Sequence, residues 1–286
     1  MSGTETVGIV GVGLIGASIG LRARQCGRRV IAFDCSNDNL LAARRLGAID
    51  EAQSSLRAVA ASCETLVLAM PIEATIASIE ELSRLAGGPS LVIDVASVKG
   101  RVVAAAEQLG SFVGTHPIAG SERSGPAAAR ADLFAGRIWA YVPRDAVLDA
   151  RAIAFIEMTG ALSLGIGAAE HDRVIAATSH LPQVLSVALG AELAPRLADD
   201  VTLALCGTGI RSMTRLGASS WTMWRGILES NAPNIAQEVR ALAAILGSVA
   251  DEIANGELDA LGARFFDAAA TDARLHENDS DSFRVS

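Results

Sequence analysis

The sequence predicts an α/β domain followed by an all-helical domain within 286 residues. Two observations predict this order. Short apolar runs rich in β-branched residues alternate with helical patterns up to about residue 167, which is typical of a parallel sheet covered by helices. Beyond that point the runs of strand length stop and long helical patterns follow. We therefore expect one domain over residues 1–167 and a second over residues 168–286.

Seven apolar runs are interpreted as strands, in the order TVGIVG, RRVIAFD, TLVLAM, SLVIDV, SFVGT, IWAYVP and LSLGIG. The second domain is dominated by AAEHDRVIAATSHLPQVLSVALGAELA and NAPNIAQEVRALAAILGSVADEIANG. Several of these helical patterns have wide apolar faces, and such faces must be buried. We expect a homodimer that packs through the helical domain; a self-contained helical bundle is the alternative. The polar tail ENDSDSFRVS is expected to fray.

The composition excludes several classes of protein. With a net charge of −8 at pH 7 and no run rich in lysine or arginine, the chain lacks the cationic footprint of a nucleic-acid-binding protein. It has no run of about eighteen apolar residues and no basic segment before an apolar N-terminal run, so we expect a cytoplasmic protein outside any membrane. The four cysteines share no metal-binding spacing, which predicts reduced thiols and no metal site.

The hexapeptide GVGLIG follows the first apolar run and opens a helical pattern. Gly11, Gly13 and Gly16 match the G-x-G-x-x-G fingerprint of a Rossmann-type dinucleotide-binding domain. The first glycine makes a tight turn, the second lets the backbone approach a pyrophosphate, and the third lets helix and strand pack closely. Leu14 and Ile15 are assigned to the same cofactor-binding loop because the pyrophosphate sits on the helix N-terminus.

Three further residues are assigned to the cofactor. Asp34 ends the next strand, eighteen residues beyond Gly16, where a carboxylate can accept hydrogen bonds from the adenosine ribose. A carboxylate also repels a 2′-phosphate, and the following Cys35-Ser36 supplies no arginine to hold one, so we expect NAD as the cofactor. Met70 and Pro71 end the run TLVLAM and are expected to lie along the cofactor.

Two later strand ends carry polar side chains suited to hydride chemistry. The segment DVASVKG brings Ser97 and Lys99 to the edge of the predicted sheet, and SFVGT leads directly into His116. Beside a nicotinamide, an imidazole can accept the proton of an alcohol as its hydride leaves. Lys99 is the only lysine in the chain. It is expected either to organise the strand-end loop or the cofactor, or to lie on the surface.

Five segments together resemble the prephenate/arogenate dehydrogenase family of tyrosine biosynthesis over about residues 6–270. They read GVGLIGASIG, DVASVKG, GTHPIAGSERSG, EHDRVIAATSHLPQ and RSMTRLGASSWTMWRGILESN. The resemblance implies NAD-dependent oxidative decarboxylation of prephenate, a cyclohexadienyl substrate, to 4-hydroxyphenylpyruvate. By this resemblance His116 takes the proton of the C4 hydroxyl. Ser97 bridges the same hydroxyl, the histidine or the nicotinamide.

The resemblance also implies substrate-binding residues. Arg215 matches the arginine that binds substrate in the family, and Arg211, four residues earlier, stands where other members can carry lysine. His180 is expected to line the site, and Gln183 replaces the histidine that ends the SHLPH motif of many members. His171 and His180 are nine residues apart, about 180° around an unbroken helix. We expect Pro182 to accompany a distortion, with His171 nearer the cofactor or a domain hinge.

Ser121 and Glu122, in the turn after THPIAG, are expected to discriminate between substrate side chains. Ser121 is not acidic, which favours the keto acid prephenate over the amine-bearing arogenate; Glu122 could supply the missing charge, so arogenate and amino-substituted prephenates stay open. A β-hydroxyacid dehydrogenase usually relies on a lysine in its helical domain, and this chain has none there. The other alternative is a non-catalytic, NAD-sensing module.

Overall fold

A six-stranded parallel sheet forms the amino-terminal part of the computed structural model, which describes residues 5–119 and 125–280. The strands are ordered β3-β2-β1-β4-β5-β6, so the direction of winding reverses between β1 and β4, the position at which this type of fold binds dinucleotides. The predicted Rossmann-type α/β fold is confirmed. The strands are β1 (Thr6–Val10), β2 (Arg29–Phe33), β3 (Glu51–Ala52), β4 (Thr65–Leu68), β5 (Leu91–Asp94) and β6 (Phe112–Val113).

Five helices connect these strands and cover the sheet. They are α1 (Leu14–Gln25), α2 (Asn37–Leu46), α3 (Leu56–Ala60), α4 (Ile72–Leu82) and α5 (Gly100–Ala105). Local sequence explains where two of them begin, because Ser36 and Ser55 accept hydrogen bonds from the backbone N–H groups of Asn39 and Ala58. One face of the sheet carries an apolar cluster that includes Val7, Ile9, Val67, Ile93 and Val113, and Ile19 of α1 belongs to the same cluster.

A second, three-stranded sheet follows, which the sequence did not predict. It consists of β7 (Thr115–Pro117), β8 (Ile138–Tyr141) and β9 (Leu162–Gly165), with helix α6 (Ala146–Met158) before β9. Strand β7 pairs antiparallel with β8, whereas β8 and β9 are parallel. The expectation that SFVGT is a single strand of one parallel sheet is therefore wrong, because the chain changes sheets at Gly114. A Cβ atom there would lie 2.7 Å from Val103 Cγ2.

From residue 168 to residue 280 the chain is mostly helical, as predicted, but residues 277–280, which were expected to fray, continue the last helix. Helices α7 (Ala168–Ile175) and α8 (Leu181–Leu193) are joined by a π-helical turn, Ala176–His180. There follow α9 (Asp200–Ala204), α10 (Thr208–Thr214), α11 (Trp221–Asn255) and α12 (Leu258–Ser280). Helix α11 is interrupted at Asn231, where φ is −123° and ψ is 22°.

The chain divides into two compact units, Met1–Ala232 and Pro233–Ser286. The domain boundary expected at residue 167 stays a prediction. Among the residues that the structure describes, one helical segment, Ala168–Leu193, has the length and the mean hydropathy, 1.4, of a membrane-spanning helix. Length and composition alone support that interpretation, and core helices of other proteins meet the same criterion. Asp172, within this segment, accepts a hydrogen bond from the backbone N–H of Lys99, the residue before α5.

Candidate active site

The glycine loop between β1 and α1 has the geometry of a dinucleotide cradle. Gly11 has φ of +92°, and a Cβ atom there would lie 2.3 Å from the carbonyl oxygen of Ala69. A Cβ on Gly16 would lie 1.9 Å from Gly11 O, so helix and loop pack through that glycine. Apart from the adjoining backbone, no atom of the described residues lies within 4 Å of the Cβ position of Gly13, which leaves room for a ligand.

Helix α1 begins at Leu14 with no side-chain cap and no acidic residue in its first turn. Because no side chain caps the helix, the N–H groups of its first turn can bind an anion. Leu14 and Ile15 of this turn are half-buried. Asp34 supports the loop: Oδ2 accepts the Val12 N–H at 2.8 Å, and Oδ1 accepts the Ser36 N–H at 2.8 Å. These residues fit the pyrophosphate and ribose of NAD.

The carboxyl ends of four neighbouring strands deliver the other predicted residues to this edge. Because β1, β4, β5 and β6 are adjacent and parallel, the loops after them lie side by side. Met70 and exposed Pro71 follow β4, half-buried Ser97 follows β5, and β7 with His116 follows β6. His116 itself lies within β7 and pairs with Ala140 of β8.

Lys99 is buried at this edge, so the surface interpretation is wrong. Its Nζ forms an ion pair with Asp94 and donates a hydrogen bond of 2.6 Å to the carbonyl oxygen of Thr115. Asp94 Oδ1 also accepts the Thr115 N–H at 2.9 Å. Trp139 Nε1 in turn donates to Thr115 Oγ1 at 2.9 Å. This buried network fixes the residue that precedes His116.

His116 contacts a second histidine. Its Nδ1 lies 2.9 Å from His171 Nε2, and His171 Nδ1 lies 2.8 Å from Asp172 Oδ1. The two carboxylate oxygens of Asp172 also accept the N–H groups of Lys99 and Gly100, at 2.7 and 2.8 Å. Helix α7 is thereby attached to the loop that carries Ser97. His171, which was expected nearer the cofactor or a hinge, lies directly against His116.

The surroundings of His116 and Asp172 lower the pKa of both groups, but for different reasons. Burial lowers the pKa of His116 well below 6.5, and the positive charge of Lys99 lowers it further, so the imidazole is neutral at neutral pH. Burial by itself raises the pKa of Asp172. The hydrogen bonds from His171, Lys99 and Gly100 outweigh it and hold that pKa below its usual value.

The π-helical turn resolves the problem posed by the spacing of His171 and His180. A π turn rotates less per residue than an α-helix, so His180 is not placed on the opposite side of the helix as the spacing alone suggests. Asn231 Nδ2 donates to the carbonyl oxygen of Asp172 at 2.7 Å and lies 3.3 Å from His180 Nδ1. The predicted distortion before Pro182 is present, and Pro182 occupies the first turn of α8.

His180 is buried and packs edge-on against Trp224, with 5.6 Å between the ring centroids. Burial lowers the pKa of His180 to about 4. Its Nε2 and Trp224 Nε1 are buried atoms without hydrogen-bond partners in the described part of the chain. A buried polar atom in this condition needs a partner, such as a water molecule, an ion or a ligand group.

The two predicted arginines lie further along the chain, beyond α9. Arg211 is on α10, Arg215 begins the 3₁₀ turn Arg215–Ala218, and both are exposed. Gln183 holds that turn: its Nε2 donates to Leu216 O at 2.7 Å, and its Oε1 accepts from Ser219 Oγ at 3.2 Å. Gln183 is thus a buried support for the turn that carries Arg215.

Ser121 and Glu122 lie outside the described residues. Sequence reasoning missed Asp172, Asn231 and Trp224 and gave no chemistry to His171. Only the tripeptide EHD, with a carboxylate directly after His171, offered a signal. The contacts of Asn231 and Trp224 depend on how distant helices pack, which the local pattern does not encode.

Comparison with known proteins identifies related families for both parts of the chain. Residues 18–162 match the family model for the prephenate dehydrogenase nucleotide-binding domain, and residues 167–266 match that for the prephenate dehydrogenase dimerization domain. A prephenate dehydrogenase of Bacillus subtilis is 34% identical over 244 residues, which cover 81% of this chain and 65% of that protein. This chain therefore spans just under two thirds of that relative's length.

Solved structures agree with these matches. The crystal structure of prephenate dehydrogenase from A. aeolicus in complex with hydroxyphenyl propionate and NAD+ has a TM-score of 0.89 and 27% identity, covering 95% of this chain and 98% of that one. Synechocystis arogenate dehydrogenase has a TM-score of 0.80 and 26% identity, covering 95% and 99%. Since the two family models together match most of the sequence, the chain belongs to the prephenate dehydrogenase family.

Proposed function

We propose that the protein catalyses the NAD-dependent oxidative decarboxylation of prephenate to 4-hydroxyphenylpyruvate in tyrosine biosynthesis. One observation carries the proposal: four adjacent strand ends bring the glycine loop, Ser97 and His116 to the same edge of the sheet. The A. aeolicus relative, bound to hydroxyphenyl propionate and NAD+, supports the same ligand classes.

The glycine loop and Asp34 hold the dinucleotide. The pyrophosphate would lie in the open space beside Gly13, at the uncapped start of α1. The Asp34 carboxylate would accept hydrogen bonds from the ribose hydroxyls. When bound, NAD supplies the nicotinamide carbon that accepts a hydride. Met70 and Pro71 border the cofactor from the end of β4, and Ser97 borders it from the end of β5.

His116 accepts the proton of the substrate hydroxyl and later returns it. As the hydride leaves C4, positive charge develops on the hydroxyl, and the neutral imidazole accepts its proton. Loss of the ring carboxylate as carbon dioxide then returns an electron pair to the ring, which becomes aromatic. His116 gives the proton back to the phenol oxygen, so no net proton is released. Ser97 fixes the hydroxyl relative to the imidazole and the nicotinamide.

The substrate carboxylates require cations and hydrogen-bond donors. Arg215 binds one carboxylate in a bidentate manner, and Arg211 adds charge from the preceding turn. His180 and Trp224 supply the two buried polar atoms that have no partner in the described residues. A substrate carboxylate satisfies both, because the Asn231 amide contacts Nδ1 and leaves the proton of neutral His180 on Nε2.

The helical domain forms a homodimer. The match to a dimerization domain supports this, as do exposed apolar side chains in Pro233–Ser286, among them Leu258, Phe265 and Phe266. Light scattering after size-exclusion chromatography tests it: Phe265→Asp together with Phe266→Asp is expected to reduce the particle mass by half. The cytoplasmic location stays a prediction.

Formation of NADH with purified protein and NAD tests the proposed activity, with prephenate and arogenate offered separately. We expect prephenate to be oxidised faster than arogenate. His116→Ala should lower kcat at least about a hundredfold, within the usual range for loss of a general base. His276→Ala is the matched control because His276 is exposed on α12, and it should leave kcat unchanged. NAD binding without turnover of either substrate would contradict the proposal.

A further inference from the structure

We propose that His171 and Asp172 form a positioning pair that fixes the tautomer of His116, leaving the Nε2 lone pair of His116 free to act as the base. The inference rests on the proposed function, since it assigns the orientation of the base in that reaction. It stands on the hydrogen-bonded series from His116 through His171 to Asp172.

The direction of the series follows from its carboxylate end. An ionised carboxylate only accepts hydrogen bonds, so the proton between His171 Nδ1 and Asp172 Oδ1 belongs to His171. With its one imidazole proton on Nδ1, His171 has no hydrogen on Nε2, which must accept from its partner. That partner is His116 Nδ1, 2.9 Å away, so His116 carries its proton on Nδ1. The Nε2 of His116 is consequently the unprotonated nitrogen.

Asp172 is itself held in place, which makes it a fixed reference for both rings. Its carboxylate accepts the backbone N–H groups of Lys99 and Gly100, and its carbonyl oxygen accepts from Asn231 Nδ2 at 2.7 Å. His171 and Asp172 are both buried, so water does not compete for their hydrogen bond. The pair acts through His116, and no contact with substrate is required for its effect.

Three variants at position 171 separate positioning from packing. His171→Gln can present an amide oxygen to His116 Nδ1 in place of Nε2. His171→Asn is one bond shorter, so it can satisfy Asp172 but does not reach His116. His171→Leu removes both contacts. Substitution of Asp172 is less informative because it also frees the N–H groups of Lys99 and Gly100.

With prephenate, we expect His171→Asn and His171→Leu to lower kcat by roughly ten- to a hundredfold with KM nearly unchanged, because a wrong tautomer removes the base without removing binding. His171→Gln should recover most of kcat. Equal losses in all three variants would overturn the proposal. Equal melting temperatures and NAD affinities would show that the fold is retained.

Nitrogen NMR of protein labelled with ¹⁵N in histidine tests the tautomers without any turnover. In wild-type protein at neutral pH, His116 and His171 should both be protonated on Nδ1; resonances are assigned with His116→Asn and His171→Asn. In His171→Asn, His116 should lose this fixed tautomer. A His116 protonated on Nε2 in the wild type would overturn the inference. A correct tautomer in protein that does not oxidise prephenate would instead reject the proposed function alone.

Discussion

Lys99 and Asp94 form an ion pair in which the two side chains are 1% and 0% exposed. The pair connects the end of β5 to the start of β7, because Lys99 Nζ and Asp94 also bind the backbone of Thr115. Charges without water are stable only when each remains paired and hydrogen-bonded. The position of His116 therefore depends on a charge pair that does not touch the substrate in the proposed mechanism.

Removing one member of this pair should be costly. Lys99→Met leaves the Asp94 carboxylate buried without its cation, and we expect the free energy of unfolding to fall by roughly 3–5 kcal/mol. The control is Arg101→Met, which breaks the exposed pair with Glu73 and should cost less than about 1 kcal/mol. Urea midpoints at unchanged m-values measure both. Similar losses in the two variants would contradict a special role for the buried pair.

The pH dependence of the reaction should reflect the lowered pKa of His116. A base active in its neutral form loses activity only when pH falls below its pKa, so the acid limb of kcat/KM should lie well below pH 6.5. Because Lys99 contributes to the lowering, Lys99→Met should move this limb to higher pH. The measurement is NADH formation across a pH series, and an acid limb centred near 6.5 in the wild type would refute the expectation.

His180 should make the protein less stable in mild acid. Its pKa is lowered from 6.5 to about 4, so between these values the unfolded chain takes up a proton that the folded protein does not. The free energy of unfolding consequently falls as the pH decreases through this window, by on the order of 3 kcal/mol for this group. His116 contributes with the same sign. Urea unfolding of His180→Phe across the window should give a smaller slope; an identical slope would disagree.

The glycines of the cofactor loop should separate binding from folding. Gly13→Ala places a methyl group in open space, so the fold should be retained while the Kd for NAD rises about tenfold or more. Gly11→Ala forces a side chain into left-handed backbone, 2.3 Å from Ala69 O, and should destabilise the protein. Calorimetric titration with NAD and thermal unfolding distinguish the two; a stable Gly11→Ala protein would be inconsistent with this geometry.

Gln183 should affect substrate affinity through Arg215. Gln183→Leu leaves the Leu216 carbonyl oxygen without its donor, so the turn that carries Arg215 loosens. We expect KM for prephenate to rise several-fold in this variant and more in Arg215→Ala. In the double variant the effects should be less than additive if both act on one carboxylate contact. Full additivity in steady-state kinetics would indicate separate roles.

The sequence was sufficient for the parts of the fold that depend on local pattern. The glycine fingerprint and the apolar runs predicted the doubly wound sheet, and the helical spacing predicted the second half. Strand β3 (Glu51–Ala52) is two exposed residues, which leave no periodic signal. The change of sheets at Gly114 depends on antiparallel pairing with β8, more than twenty residues later.

The sequence predicted many of the residues at the site but few of the contacts between them. Ser97 and His116 follow strand ends, so topology alone brings them to one edge. The burial of Lys99 depends on Asp94 and Thr115 meeting across two strands. The contact between His116 and His171 depends on the packing of α7 against the loop after β5. The sequence pattern does not predict this tertiary contact.

The π-helical turn Ala176–His180 also limits how the length of the chain can change. A π turn contains one residue more than the α-helix it interrupts, so a single deletion there, such as Ala177, would restore continuous α geometry. Everything that follows would rotate about the helix axis, which would carry His180 away from Asn231 and Gln183 away from Leu216. We therefore expect these five residues to tolerate neither insertions nor deletions, in contrast to a surface loop. This restriction follows from the geometry of the turn, since none of the five carries an acidic or basic side chain other than His180.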